Sequence, residues 1–261
     1  MDAMLRFSAN ISMLFTEHVL LDRIAAAADA GFGAVEIQFP YDLAADDLAR
    51  AKERAGIEVS LFNIGVGNLE RGGPGLAAMP GRAADFKNAV AQARDYAEAL
   101  SPLNVNVLAG RPPAEMGRTR CLHQLTDNLC LAAEVFAEIG VGVTLEAVNT
   151  RDRPGYLIST SAEALRMIER AGHPNLGLEH DLYHMQIMEG DLVPTLTRLI
   201  GRIGNIQFAD TPGRGAPGTG EINFPFVLEA VDRLDYEGWM GAEYVPRGPT
   251  ADSLGWLDPY R

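Results

Sequence analysis

Short apolar runs of β character alternate along the chain with longer segments in which apolar residues recur at helical spacing. The runs that read as strands are Leu5–Ala9, Ala34–Phe39, Glu58–Phe62, Asn104–Leu108, Gly142–Val148, Leu176–Asp181, Asn205–Ala209 and Trp239–Tyr244. Between them, helical patterning covers Val19–Ala30, Ala44–Ala55, Ala83–Ala99, Arg120–Ile139, Ser161–Ala171, Leu192–Ile200 and Phe226–Leu234. The fourth shows the spacing most clearly, with Leu122, Leu125, Leu129, Ala132, Ala133 and Phe136 on one face. Glycines such as Gly56, Gly140 and Gly172 stand just past helix ends, where a left-handed cap is favourable. Ser161 and Asn223 are expected N-caps.

Strand–helix units repeated in this way belong to the α/β class and predict a closed (β/α)8 TIM barrel, a single domain spanning residues 1–261. No G-x-G-x-x-G follows the first strand, which weighs against a dinucleotide fold. No stretch reads as a linker. Two connections are long, Asn63–Arg82 and Asp210–Asn223. Both follow strands, so they are expected at the C-terminal face, where barrel active sites lie. Glycine-rich loops there serve as lids or binding loops more often than as idle insertions.

Composition adds three constraints. A chain of 261 residues with 47% apolar content buries a core without covalent staples. A net charge of −13 repels phosphate backbones and anionic membranes, so neither nucleic acid nor a membrane is an expected partner. An anionic small substrate would then need a local cationic pocket. Cys121 and Cys130 share one predicted helix, about 13 Å apart along its axis, too far for a bridge. Free thiols imply a reducing compartment. Met1-Asp2-Ala3-Met4-Leu5-Arg6 carries no signal-peptide pattern, and no apolar run reaches the roughly 18 residues of a membrane span. The expected location is cytoplasmic. A homodimer is expected only on the general frequency of symmetric assembly.

The chemistry lies where polar residues interrupt the later strands. Glu146 closes the fifth, Glu179 and Asp181 the sixth, and Gln207 and Glu243 sit in the seventh and eighth. Strand alternation that turns Glu146 inward turns Val143 and Leu145 outward; likewise inward Gln207 puts Ile206 and Phe208 outside. Inward Glu243 brings Gly241 with it, which leaves room in a narrow barrel. In the sixth strand Glu179 and Asp181 share a face and His180 points away. Oxygen donors from consecutive strands would converge at the mouth, where mutual repulsion favours a hard divalent cation, Mg²⁺ or Mn²⁺ rather than zinc. The competing reading of each is a helix cap or a solvated loop residue. Glu146 and Glu243, on opposite sides of such a centre, could take a proton from one carbon and return it to its neighbour, with no organic cofactor. His184, in the expected loop after the sixth strand, could bond a substrate hydroxyl or ligate metal. Arg214 could grip a substrate carboxylate. Gly218 and Gly220 read as turn residues, and Glu221 stays open between a ligand-orienting role and a turn.

With these residues in place, the sequence resembles the hydroxypyruvate isomerase family of xylose isomerase-like TIM barrels. The likeness runs from Arg6-Phe7-Ser8-Ala9-Asn10-Ile11-Ser12-Met13-Leu14-Phe15 through Phe39-Pro40-Tyr41-Asp42, Asp181-Leu182-Tyr183-His184-Met185-Gln186 and Gly218-Thr219-Gly220-Glu221-Ile222-Asn223 to Trp256-Leu257-Asp258-Pro259-Tyr260-Arg261. The resemblance implies that Glu146, Asp181, Gln207 and Glu243 bind the metal, with Glu146 and Glu243 as acid and base. It implies interconversion of hydroxypyruvate and tartronate semialdehyde. His184 and Arg214 match substrate-binding positions, and Glu221 and Asn63 are placed with them. Two departures stand out: Ala147 follows the first glutamate where the family often has proline, and Phe62-Asn63-Ile64-Gly65-Val66-Gly67-Asn68-Leu69 differs in the loop expected to border the substrate. A 2-oxo-tetronate isomerase or a ketose 3-epimerase would use the same site. A metal-dependent abasic-site endonuclease and a non-catalytic ligand-binding barrel are more distant alternatives.

Overall fold

The structure, a computed structural model, describes residues 5–260. Met1–Met4, on which the signal-peptide reading partly rests, and Arg261 lie outside the described residues. The strands are β1 (Arg6–Asn10), β2 (Ala34–Ile37), β3 (Glu58–Asn63), β4 (Asn104–Leu108), β5 (Gly142–Glu146), β6 (Leu176–Asp181), β7 (Ile203–Phe208) and β8 (Trp239–Ala242). They pair in parallel in sequence order, and β8 returns to β1 with Ser8 opposite Gly241, closing the barrel. Closure removes both sheet edges. The helices are α1 (Leu20–Asp29), α2 (Ala45–Ala55), α3 (Ala83–Leu100), α4 (Arg118–Ala137), α5 (Ser161–Ala171), α6 (Leu182–Met188), α7 (Leu192–Leu199) and α8 (Phe224–Asp232).

The strand–helix order follows the hydrophobic pattern; the ends differ by a few residues. β2, β5 and β8 stop short of the apolar runs that suggested them, because the chain leaves the ladder as it turns into the mouth loops. β7 starts earlier, at Ile203. Two local expectations are corrected. Thr160, not Ser161, caps α5: its hydroxyl accepts from the Glu163 N–H, and the Glu163 carboxylate reaches back to the Ser159 N–H at 2.9 Å. The segment after β6, expected as loop, is the short helix α6, so His184 sits in a first helical turn. Asn223 caps α8 as expected.

Outward-facing residues such as Val105, Val107, Val143, Leu145, Ile206 and Phe208 form the apolar layer between barrel and helices. The segment Gly255–Tyr260 covers the outer faces of β1 and β7, with Trp256 edge-on to Phe7 and Phe208 at 5.3 and 5.1 Å. Cys121 is buried and Cys130 half-buried on α4, both free. The barrel interior is polar. Ser8, Asn10, Glu36, Thr144, Glu179 and Asn205 are all buried there. Gly241 leaves room here for the Glu36 carboxylate, which a Cβ at this position would displace.

Candidate active site

Glu146 and Asp181 end β5 and β6, Gln207 lies in β7, and Glu243 follows β8 directly. All are buried at the C-terminal mouth. Above them a cleft holds about 580 Å³ of empty space, its open mouth included, and Glu146, Glu243, His184, Arg214 and Asn63 line it.

The donors around each carboxylate explain how so many acids share one cavity. Glu146 accepts from Asn106 Nδ2 at 3.1 Å, and the same amide bonds Asn63 Oδ1 at 3.0 Å. Glu243 accepts from Gln38 Nε2 at 2.7 Å, from Asn10 Nδ2 at 3.1 Å, and from the Arg214 guanidinium. Asp181 divides its oxygens: Oδ1 caps α6 through the N–H of Tyr183 (2.8 Å), while Oδ2 faces Arg214 (3.4 Å) and His184 Nε2 (3.4 Å). Thus the capping reading and the site reading both hold for this one side chain. Burial pushes Glu146 well above the ordinary carboxyl range, and the nearby Glu243 and Asp181 charges add to it. Burial likewise raises Asp181, against Arg214 and the capping bonds.

Arg214 is turned onto the protein's own carboxylates and its Nε donates to the Glu243 carbonyl at 3.2 Å. It is therefore not a free fork for a substrate carboxylate. Its backbone is left-handed, φ 53°. The loop that holds it wraps around buried Asp210, whose oxygens accept the N–H groups of Thr211, Gly218, Gly220 and Ile222. A Cβ on Gly220 would overlap the Thr211 carbonyl, so the turn reading of Gly218-Thr219-Gly220 is the one the geometry supports. Glu221 is exposed, bonds Gln186 Nε2 at 3.3 Å, and does not line the cleft.

His184 is buried and neutral, its pKa lowered to about 3 by desolvation and then by the Arg214 charge. Asn149 fixes its tautomer. The Asn149 Oδ1 accepts the Asp152 N–H (2.8 Å) and its Nδ2 donates to the Asp152 carboxylate (2.9 Å), which leaves the second Nδ2 hydrogen for His184 Nδ1 at 2.6 Å. Nδ1 is then the acceptor, and Nε2–H points at Glu146 and Asp181. Donor atoms of Glu146, Asp181 and His184 lie within 4.8 Å of one another. Two buried carboxylates in that group suit a hard divalent cation. The imidazole, with its proton on Nε2, is better fitted to donate than to ligate.

A second polar layer lies beneath the mouth; sequence reasoning named Gln207 and Glu179 of it and missed Glu36 and Asn205. Gln207 Nε2 donates to Glu36 at 2.8 Å, so the amide nitrogen is engaged below and the oxygen is left as the free end. Asn205 bridges Glu36 (3.0 Å) and Glu179 (2.8 Å). Burial and the Glu243 charge raise Glu36 to about 7, and burial with the Glu36 and Glu146 charges raises Glu179 well above its usual range. Applying the inward-alternation argument to β2 would have exposed Glu36 and Gln38. Asn149 and Asp152 lie in a loop with no periodicity to reveal them.

Residues 24–260 match the model of the family described as xylose isomerase-like TIM barrel. The chain is 44% identical to the 2-oxo-tetronate isomerase of Cupriavidus necator over 98% of both chains. It is 41% identical to the hydroxypyruvate isomerase of Escherichia coli, covering 99% of this chain and all of that one. Among solved structures, one titled AP endonuclease, family 2 from Brucella melitensis superposes with TM-score 0.96 at 39% identity, covering 99% of this chain and 100% of that one.

Proposed function

The chain belongs to the xylose isomerase-like TIM-barrel family, and on that premise we propose that it isomerises a small 2-oxo hydroxy acid, hydroxypyruvate or a 2-oxo-tetronate. The observation that carries this reading is the pair Glu146 and Glu243 facing one cleft, each held by its own donors. For hydroxypyruvate, one glutamate takes a proton from C3 and an enediolate forms across C2 and C3. A proton returned to C2, with the O3 hydroxyl proton passing to O2, gives tartronate semialdehyde; no atom is gained or lost. His184 Nε2–H is placed to donate to a substrate oxygen, and Arg214 offsets charge at the mouth.

Glu146, Asp181, the Gln207 amide oxygen and Glu243 would hold Mg²⁺ or Mn²⁺. Such an ion polarises a carbonyl oxygen and stabilises developing negative charge. The two relatives named for oxo-acid isomerisation, each covering nearly the whole chain, support the substrate class. Among the described residues no helix is long and apolar enough to cross a membrane.

The test is a panel of hydroxypyruvate, 2-oxo-tetronates and ketoses, assayed with and without chelator, with Mg²⁺ or Mn²⁺ added back. Movement of the carbonyl in an acid product, restored by metal, is the expected result. Inversion of one ketose carbon with the carbonyl unmoved would replace this reading with a 3-epimerase.

A further inference from the structure

The carboxylates at the mouth pose a problem for an acidic substrate, which carries a charge of their own sign. Two arginines line the cleft, and Arg214 is committed to Asp181 and Glu243. Arg153, in the loop between β5 and α5, is not. Among the described residues its one ion pair is with Glu70 of the β3–α3 loop, made through Nη2 alone at 3.3 and 3.5 Å. Both partners are nearly half exposed (43% and 45%). A long, solvated pair of this kind contributes little and is cheap to exchange. Among the described residues, Nη1 and Nε of Arg153 have no acceptor, so the fork is open.

Three residues further on, Tyr156 lines the same cleft with its ring buried, 6% exposed. Among the described residues its hydroxyl finds no hydrogen-bond partner. The phenol lies near the backbone of Gly110 and Ala109, and it feels the Glu146 charge first and the Arg153 charge more weakly. A buried hydroxyl without an acceptor costs free energy unless a ligand supplies one. The loop is fixed in this position: the Tyr156 N–H bonds the Arg153 carbonyl at 3.1 Å, and the Leu157 N–H bonds Gly110 at 3.0 Å.

We propose that Arg153 and Tyr156 form the subsite for the substrate's carboxylate, with Glu70 holding the guanidinium until the acid displaces it. The subsite selects oxo acids over neutral ketoses, and it rests on the isomerase reading for its substrate. Glu70 would make the β3–α3 loop part of acid recognition.

Calorimetric binding of D-glycerate and of its neutral amide, glyceramide, tests this without turnover. Arg153→Met is expected to weaken D-glycerate ten- to a hundredfold and to leave glyceramide unchanged. Tyr156→Phe should weaken D-glycerate several-fold, and Glu70→Gln should tighten it. Equal losses for both ligands, no loss for either, or a wild-type protein that does not bind D-glycerate would overturn the subsite. Should the wild type isomerise hydroxypyruvate while Arg153→Met leaves its KM unchanged, the subsite alone is wrong. Should no oxo acid turn over while D-glycerate binding still depends on Arg153, the isomerase reading is wrong and the subsite stands.

Discussion

Individual side chains at the mouth do their work through the direction in which each hydrogen bond runs. Asn149 is the sharpest case. Because Asp152 holds both ends of its amide, His184 has one neutral tautomer available, with its proton toward the cleft. Replacing Asn149 by Asp exchanges a donor for an acceptor and moves the proton to Nδ1. We expect kcat to fall about 10- to 100-fold at temperatures where the variant is folded, and the melting temperature to fall as well, because the new buried carboxylate faces that of Asp152; steady-state kinetics and a melt separate the two. Loss of activity that only tracks unfolding would show a merely structural role. Glu146, Asp181 and Glu243 were legible in the sequence because a charged residue at the end of an apolar strand has few other reasons to be there. Asn149 was not, since its role depends on a loop meeting α6 in space. Glu221 shows the opposite limit: the motif around it marks a turn, and the side chain faces outward.

Elements place these residues by packing and by a few buried polar hubs. The β7–α8 connection carries Arg214 in a left-handed conformation, and Asp210 secures it with four backbone N–H groups. Asp210→Ala leaves those groups unpaired. It should cost on the order of 10²-fold in kcat/KM through misplacement of Arg214, with a destabilisation of about 1–3 kcal/mol; chemical denaturation and kinetics measure the two separately. Within the barrel, Gly241→Ala would drive a methyl against Glu36 and is expected to lower stability by about 1–3 kcal/mol. A thermal melt unchanged from wild type would contradict that packing. Strand and helix order followed from hydrophobic period alone, since each strand must bury its outer face against a helix. Element ends were less legible, because they depend on hydrogen bonds to loops. The helix α6 was hidden because its cap, Asp181, also belongs to the preceding strand.

At the scale of the whole molecule, a polar barrel interior inside an apolar shell links stability to pH. His180, outward from β6, is fully buried, its Nε2 has no partner among the described residues, and burial lowers its pKa to about 4. The unfolded chain binds this proton near pH 6.5, so the stabilising contribution is fully present above 6.5 and is lost as pH falls toward 4. Its size is about 3 kcal/mol. His180→Phe should flatten the acid limb of the stability curve over that interval, as read by urea titrations at several pH values; an unaltered limb would contradict it. The central claim concerns the cleft that this shell supports: Glu146 and Glu243 together take a proton from one carbon and deliver one to its neighbour. Proton NMR of hydroxypyruvate in ²H₂O, with metal present, reads that event directly for wild type and for Glu146→Gln and Glu243→Gln. Tartronate semialdehyde should form with the wild type; conversion should fall at least about 10³-fold in each variant, and exchange of the C3 protons should fall with it only where the glutamate that removes the C3 proton is the one replaced. Near-normal turnover by either variant would contradict the account.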